Sequence, residues 1–170
     1  MSKTLWVVNL PAEIDILVES GQKVSEDEVL AESEDCQIKA PVGGKVSQIE
    51  ERKIKLEFNS DKLSGEGIGK GRQWGEIIHI PELRYLSLDS SFCGKIILTS
   101  GNNLTPHLVV KAKALGVSGL VTTGQVTIGI NWKIPGLRVD KEGAKLIKKG
   151  NGVKCLLDAD NNCLLIPTND

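Results

Sequence analysis

The chain has 170 residues, 40% of them hydrophobic, enough for one large domain or two small ones that each bury a modest core. Its 21 basic and 22 acidic residues leave a formal net charge of -1 and aromatics are only 4%, so the chain has neither a field that attracts nucleic acid nor stacking platforms for bases. No apolar run is long enough to span a bilayer and no basic, apolar leader opens the chain; nucleic acid and membrane are excluded as partners, and a cytoplasmic protein is expected.

The first sixty residues read as short strands at 3–9, 14–18, 29–31, 37–40, 45–49 and 53–58, separated by turn residues. In the last of these, Ile54, Leu56 and Phe58 alternate with Lys53, Lys55 and Glu57, the pattern of a half-buried antiparallel strand. Gly21 and the Gly43-Gly44 pair mark positions where a positive φ is expected. The acidic stretch 25–28 reads as a turn.

Residues 59–75 carry glycine at 65, 67, 69, 71 and 75. Such a run is either a flexible joint or a segment held close to a neighbour. No G-K-[ST] closes it and no helix pattern begins directly after it, which excludes the Walker and dinucleotide readings. Lys70 and Arg72 are candidates to attract an anion.

After the joint, strands at 76–80, 95–99, 119–122 and 136–139 alternate with helices at 104–115 and 140–149, and 153–157 with 163–166 form a closing hairpin. In the first helix Thr105 is the expected N-cap with Pro106 at the first helical position, Leu108, Val109, Ala112 and Leu115 form the apolar stripe, and Gly116 is the stop. The second helix is framed by Asp140 and Gly150, with Ala144 and Ile147 facing inward.

The stretch 18–49, VESGQKVSEDEVLAESEDCQIKAPVGGKVSQI, resembles the half-barrel of biotinyl and lipoyl attachment domains: a V-x-x-G-x-x-V start, a short L-A strand and an I-x-A-P-x-x-G-x-V return. The resemblance implies a barrel-sandwich hybrid whose hairpin tip presents a lysine for the cofactor. Here the L-A and I-x-A-P strands are joined by Glu32, Ser33, Glu34, Asp35 and Cys36, and Lys39 sits inside the returning strand, so the carrier function that goes with the fold is not expected and no cofactor is assigned.

From Gly65 to Pro167, the ordered pieces GEGIGKGRQWGEIIHI, GKIILTSGNNLTPHLVVKAKALGVSGLVTTG and KIPGLRVDKEGAKLIKKGNGVKCLLDADNNCLLI resemble the mobile, swivelling domain of phosphoenolpyruvate-utilising enzymes. That family carries a phosphohistidine in a T-S-H turn between a glycine-ending strand and a G-I-P strand. The corresponding interval here, 124–133, contains no histidine. A second register slides the family's T-S-H segment onto residues 105–118 and puts His107 in the phosphohistidine position, at the expense of the flanking strands. The two resemblances together imply an α+β chain: a β-rich barrel-sandwich segment (1–60), a glycine-rich joint (61–75) and a swivelling β/β/α domain (76–170).

The physics of the second register centres on His107, near a helix N-terminus whose free N–H groups and dipole favour an anion. Asn103, Thr105, His107 and Lys111 are the candidate anion site there, with Lys111 as the local cation; a structural, exposed histidine is the competing reading. His79 alternates into an apolar strand and reads as partly buried and structural. Cys36, Cys93, Cys155 and Cys163 lack C-x-x-C spacing and read as buried free thiols rather than metal ligands, with Cys155 and Cys163 able to approach across the hairpin. The expected function is therefore that of a non-catalytic binding or scaffold protein with a protein partner or a phosphorylated small molecule; the rival is a phosphotransfer protein using His107.

Overall fold

The computed structural model describes residues 2–101, 103–127, 132–149 and 151–168. It is mostly β-sheet with helices at Pro106–Ala114 (α1) and Lys141–Lys149 (α2), a β-rich α+β fold. Among the described residues no helix is long and apolar enough to cross a membrane. The chain divides into two compact units, Met1–Asp61 with Pro167–Asp170, and Lys62–Ile166.

In the first unit, β1 (Ser2–Asn9) runs antiparallel to β7 (Lys53–Ser64), which pairs with β6 (Gly44–Glu50), and β3 (Lys23–Val24) pairs with β6. A second sheet is β2 (Asp15–Ile16), β4 (Val29–Ser33) and β5 (Cys36–Lys39), again antiparallel throughout. The β7 alternation emerges as expected: Ile54 and Leu56 are fully buried and Phe58 nearly so, and the first two join Val18, Val24, Leu30 and Val46 in one core. Gly21 takes a positive φ of 92°, whereas Gly43 and Gly44 do not. Gly44 is required for another reason: a Cβ there would lie 2.5 Å from the Glu57 carbonyl oxygen, inside the β6–β7 pair. The β4–β5 hairpin closes on Ser33 opposite Cys36, leaving Glu34 and Asp35 at its tip, and Lys39 lies within β5 opposite Val29.

The glycine-rich run is not a free joint. It forms the end of β7, β8 (Glu66–Ile68) and β9 (Arg72–His79), and from Lys62 onward it belongs to the second unit. The physical reason is close approach: a Cβ on Gly67 would sit 2.2 Å from the Ala159 carbonyl oxygen, and one on Gly75 would sit 2.8 Å from that of Gly94. The far end of the described chain differs too, since the Thr168 N–H donates to the Asn59 oxygen (3.0 Å) and Pro167 and Thr168 group with the first unit.

In the second unit β9, β10 (Lys95–Thr99), β11 (Gly119–Thr122) and β12 (Gly136–Arg138) are parallel neighbours in that order. Antiparallel strands flank them: β8 beyond β12, and the β13 (Lys154–Asp158) and β14 (Cys163–Pro167) hairpin beyond β9. The central strands are apolar on both faces, as parallel strands covered on both sides must be. Ile97 and Leu120 pack with Leu108, Val109 and Ala112 of α1; Ile96, Leu98, Val121 and Leu137 pack with Ala144 and Ile147 of α2. Helix α1 is shorter than expected, because Leu104 is drawn into a bridge with Val126. Gly116 terminates it with φ 74°. Gly150, the expected stop of α2, lies outside the described residues.

Two of the four thiols depart from expectation. Cys155 and Cys163 are buried, but Cys36 at the start of β5 and Cys93 beside a 3-10 turn (Ser90–Phe92) are exposed. Cys155 and Cys163 do not face each other either, since the hairpin register sets Cys163 opposite Asp158.

Candidate functional site

Four parallel strands ending together leave a crevice at their carboxyl ends, where the following loops must diverge. In the second unit those ends are His79, Thr99, Thr122 and Arg138. Thr99 and Thr122 are cross-strand partners with no exposed surface. The Thr122 hydroxyl accepts the Gly124 N–H (2.9 Å), a local turn that a serine or threonine side chain commonly makes. The Thr123 hydroxyl donates to the Ser100 oxygen (3.2 Å) and the Leu104 N–H to the Gln125 oxygen (3.2 Å), so the loops after β10 and β11 are stitched together. Beyond β12, the Asp140 carboxylate caps α2 by accepting the Gly143 N–H (2.6 Å).

The result is an open cleft of about 890 Å³. Its floor and walls are Asn103, the Thr123-Gly124-Gln125 loop, the Arg138-Val139-Asp140 segment and, from the glycine-rich run, Ser64, Gly65 and Glu66. Gly65 makes that arrangement possible, because a Cβ there would fall 2.5 Å from the Arg138 carbonyl oxygen. Glu66 is the register partner of Arg138, and the two side chains form an ion pair on the cleft wall. Both are substantially exposed, at 46% for Arg138 and 64% for Glu66. An exposed pair of this kind contributes about 0.2–1 kcal/mol, little enough to be exchanged for other partners.

The turn at 158–162 holds the glycine-rich run in place. Asn162 accepts the Gly67 N–H on its side chain (2.8 Å) and the Gly65 N–H on its backbone oxygen (3.0 Å), while Asp160 accepts the Gly71 N–H (3.1 Å). Buried Asp158 accepts two bonds from Asn161 and pairs with the Arg72 guanidinium at 2.8 Å. Arg72 thus serves as the counter-ion of Asp158.

The remaining sequence-predicted site residues scatter. Lys70 is exposed in the turn between Gly69 and Gly71, whose φ values are 72° and 106°. Thr105 is the N-cap of α1 by backbone conformation, but its hydroxyl makes no capping bond. His107 is exposed on the first turn of α1, outside the cleft, and among the described residues its ring has no hydrogen-bond partner. The Lys111 ammonium donates to the Tyr85 oxygen (2.7 Å) and lies 4.4 Å from the centre of the Tyr85 ring, so it is already engaged. Of the candidates only Asn103 lines the cleft. The cleft-lining residues not singled out are Glu66, Thr123, Gln125, Arg138 and Asp140; the signal that could have found Thr123, Gln125 and Asp140 is their position just past the ends of buried parallel strands, whereas Glu66 and Arg138 meet only through β8–β12 pairing.

His79, at the same end of the sheet, is partly buried, with Nε2 3.3 Å from the Ser100 hydroxyl. Burial, then the nearby Lys148 charge, holds its pKa below the ordinary value. Burial alone pushes the Cys155 thiol up to about 12.

No protein-family model and no curated protein matches the sequence. Among solved structures the chain is similar to a UPF0107 protein determined by NMR in solution, with 16% identity and a TM-score of 0.51 over 62% of this chain and 98% of that one. It also matches a zinc aminopeptidase from Bacillus subtilis (12% identity, TM-score 0.38, 99% of this chain and 33% of that one). A third match is the microcin C7 self-immunity protein MccF (15%, TM-score 0.33, 68% and 43%). The first likeness concerns the fold alone, and the other two are too distant to carry an argument.

Proposed function

We propose that this chain is a cytoplasmic binding or scaffold protein that holds a polar ligand in the cleft of its second unit and carries no covalently attached group. In this reading the first unit is a barrel-sandwich module of the biotinyl and lipoyl kind, and the second a swivelling β/β/α module of the kind found in phosphoenolpyruvate-utilising enzymes, each without the residue that would bear cargo. The observation that carries the reading is the cleft itself: it lies where open parallel sheets bind ligands, and hydroxyls, carboxamides and one self-neutralised ion pair converge on it. The first unit contributes a hairpin tip of Glu34 and Asp35 in place of a modifiable lysine.

Thermal-shift screening against amino acids, sugars and phosphate esters tests this directly. A ligand is expected to raise the unfolding midpoint of the native chain and to lose that effect in Gln125→Trp, which fills the cleft mouth. The rival, phosphotransfer through His107, is tested by incubation with labelled phosphoenolpyruvate and a donor extract. Acid-labile label on the native chain that disappears in His107→Ala would replace the binding reading with the rival.

A further inference from the structure

Resting on the cleft reading above, we infer that the ligand is a small zwitterion bearing both an ammonium and a carboxylate, the chemistry of a free α-amino acid or of a dipeptide with both ends free. The cleft carries three charged side chains, the cation Arg138 and the anions Glu66 and Asp140. Among the described residues Glu66 is bound only to Arg138, and Asp140 uses Oδ1 on the Gly143 N–H at the head of α2. A purely anionic ligand must draw Arg138 away from Glu66 and leave that carboxylate facing a like charge. A purely cationic ligand meets Glu66 and Asp140 but also Arg138. A zwitterion exchanges one ion pair for two: its carboxylate takes the Arg138 guanidinium, which is shaped for two parallel N–H bonds, and its ammonium takes Glu66.

The neutral part of the lining agrees. Asn103 and Gln125 each offer a carboxamide donor and acceptor, and the Thr123 hydroxyl, bonded to the Ser100 oxygen, ties together the loops that carry them. These groups match the amide of a dipeptide as well as the ends of a single amino acid. The ion pair is exposed on both sides, so no buried charge has to be created for the exchange to occur.

Amide chemical-shift mapping on the full chain tests the inference with L-alanine, L-lysine and dialanine, set against acetate, methylammonium and inorganic phosphate. Zwitterions are expected to move the Glu66, Thr123, Gly124 and Gln125 amides with affinity about ten-fold above acetate or methylammonium. Glu66→Gln and Arg138→Gln are each expected to bring that affinity down to the level of the singly charged probes. The alanine and dialanine arms separate the free amino acid from the short peptide. Equal response to acetate and alanine overturns the inference on the native chain alone, whatever the variants do. If phosphate moves the cleft amides and no zwitterion does, the inference falls while the cleft remains a binding site. If no probe, and no compound of the thermal-shift panel, moves them, both fall.

Discussion

The two units use the same short strands to opposite ends. In the first, every strand pair is antiparallel and consecutive strands can turn back within two residues, as Glu34 and Asp35 do between β4 and β5. Turns of that kind satisfy themselves and leave little space between them. In the second, four neighbouring strands run the same way, so each must leave the sheet at the same end before crossing back. The loops that do so are forced apart, and the cleft is the gap that results. Strand direction, more than strand composition, accounts for the concave site of the second unit.

Core truncation presses hardest on this comparison. Leu30→Ala in the first unit and Leu137→Ala in the second each remove a fully buried side chain, and each is expected to cost about 2–5 kcal/mol in denaturant unfolding. Hydrogen exchange is expected to accelerate first in the unit that carries the change.

Glycine substitutions separate close approach from backbone conformation. Gly67→Ala drives a methyl group against the Ala159 oxygen and Asn162 Oδ1, backbone and clamped turn together, and is expected to destabilise by about 1–3 kcal/mol. Gly21→Ala meets open space, so only its positive φ opposes the change, and about 1 kcal/mol is expected. Equal losses at the two sites would mean that the second unit does not depend on β8 being pressed against the 158–162 turn.

Thiol reactivity gives a smaller, cleaner readout. Cys36 and Cys93 are expected to alkylate rapidly in the native chain, whereas Cys155, with its pKa near 12, and Cys163, raised by burial, are protected until unfolding. Mass spectrometry after a short alkylation pulse checks the count.

The smallest effect is the pH dependence of His79. Because folding lowers its pKa below 6.5, the unfolded chain takes up the proton first; stability is full above that value and declines as pH falls through it. Between about pH 7 and about pH 5 the thermal midpoint is expected to fall less steeply in His79→Gln than in the native chain.

Much of the local structure was legible from residue order. The alternation of Ile54, Leu56 and Phe58, the stripe of Leu108, Val109 and Ala112, and the Gly116 stop all follow from side-chain periodicity and backbone sterics, which act over a few residues. The glycine-rich run was not, because composition alone cannot distinguish a glycine kept for freedom from one kept for lack of a Cβ. His107 drew attention through its neighbours in sequence, yet the cleft gathers its lining from residues 64–66, 103, 123–125 and 138–140.

Which segments form strands and helices, and which of their faces are apolar, was thus determined by the sequence itself, since those preferences are local. That Glu66 meets Arg138, that Arg72 is spent on Asp158, and that three loops open onto one cleft was decided only by the tertiary structure. The physical reason is that long-range strand pairing, antiparallel at β8–β12 and β9–β13 and parallel from β9 through β12, joins residues far apart in the chain, and no short-range pattern records which carbonyl a distant glycine must approach.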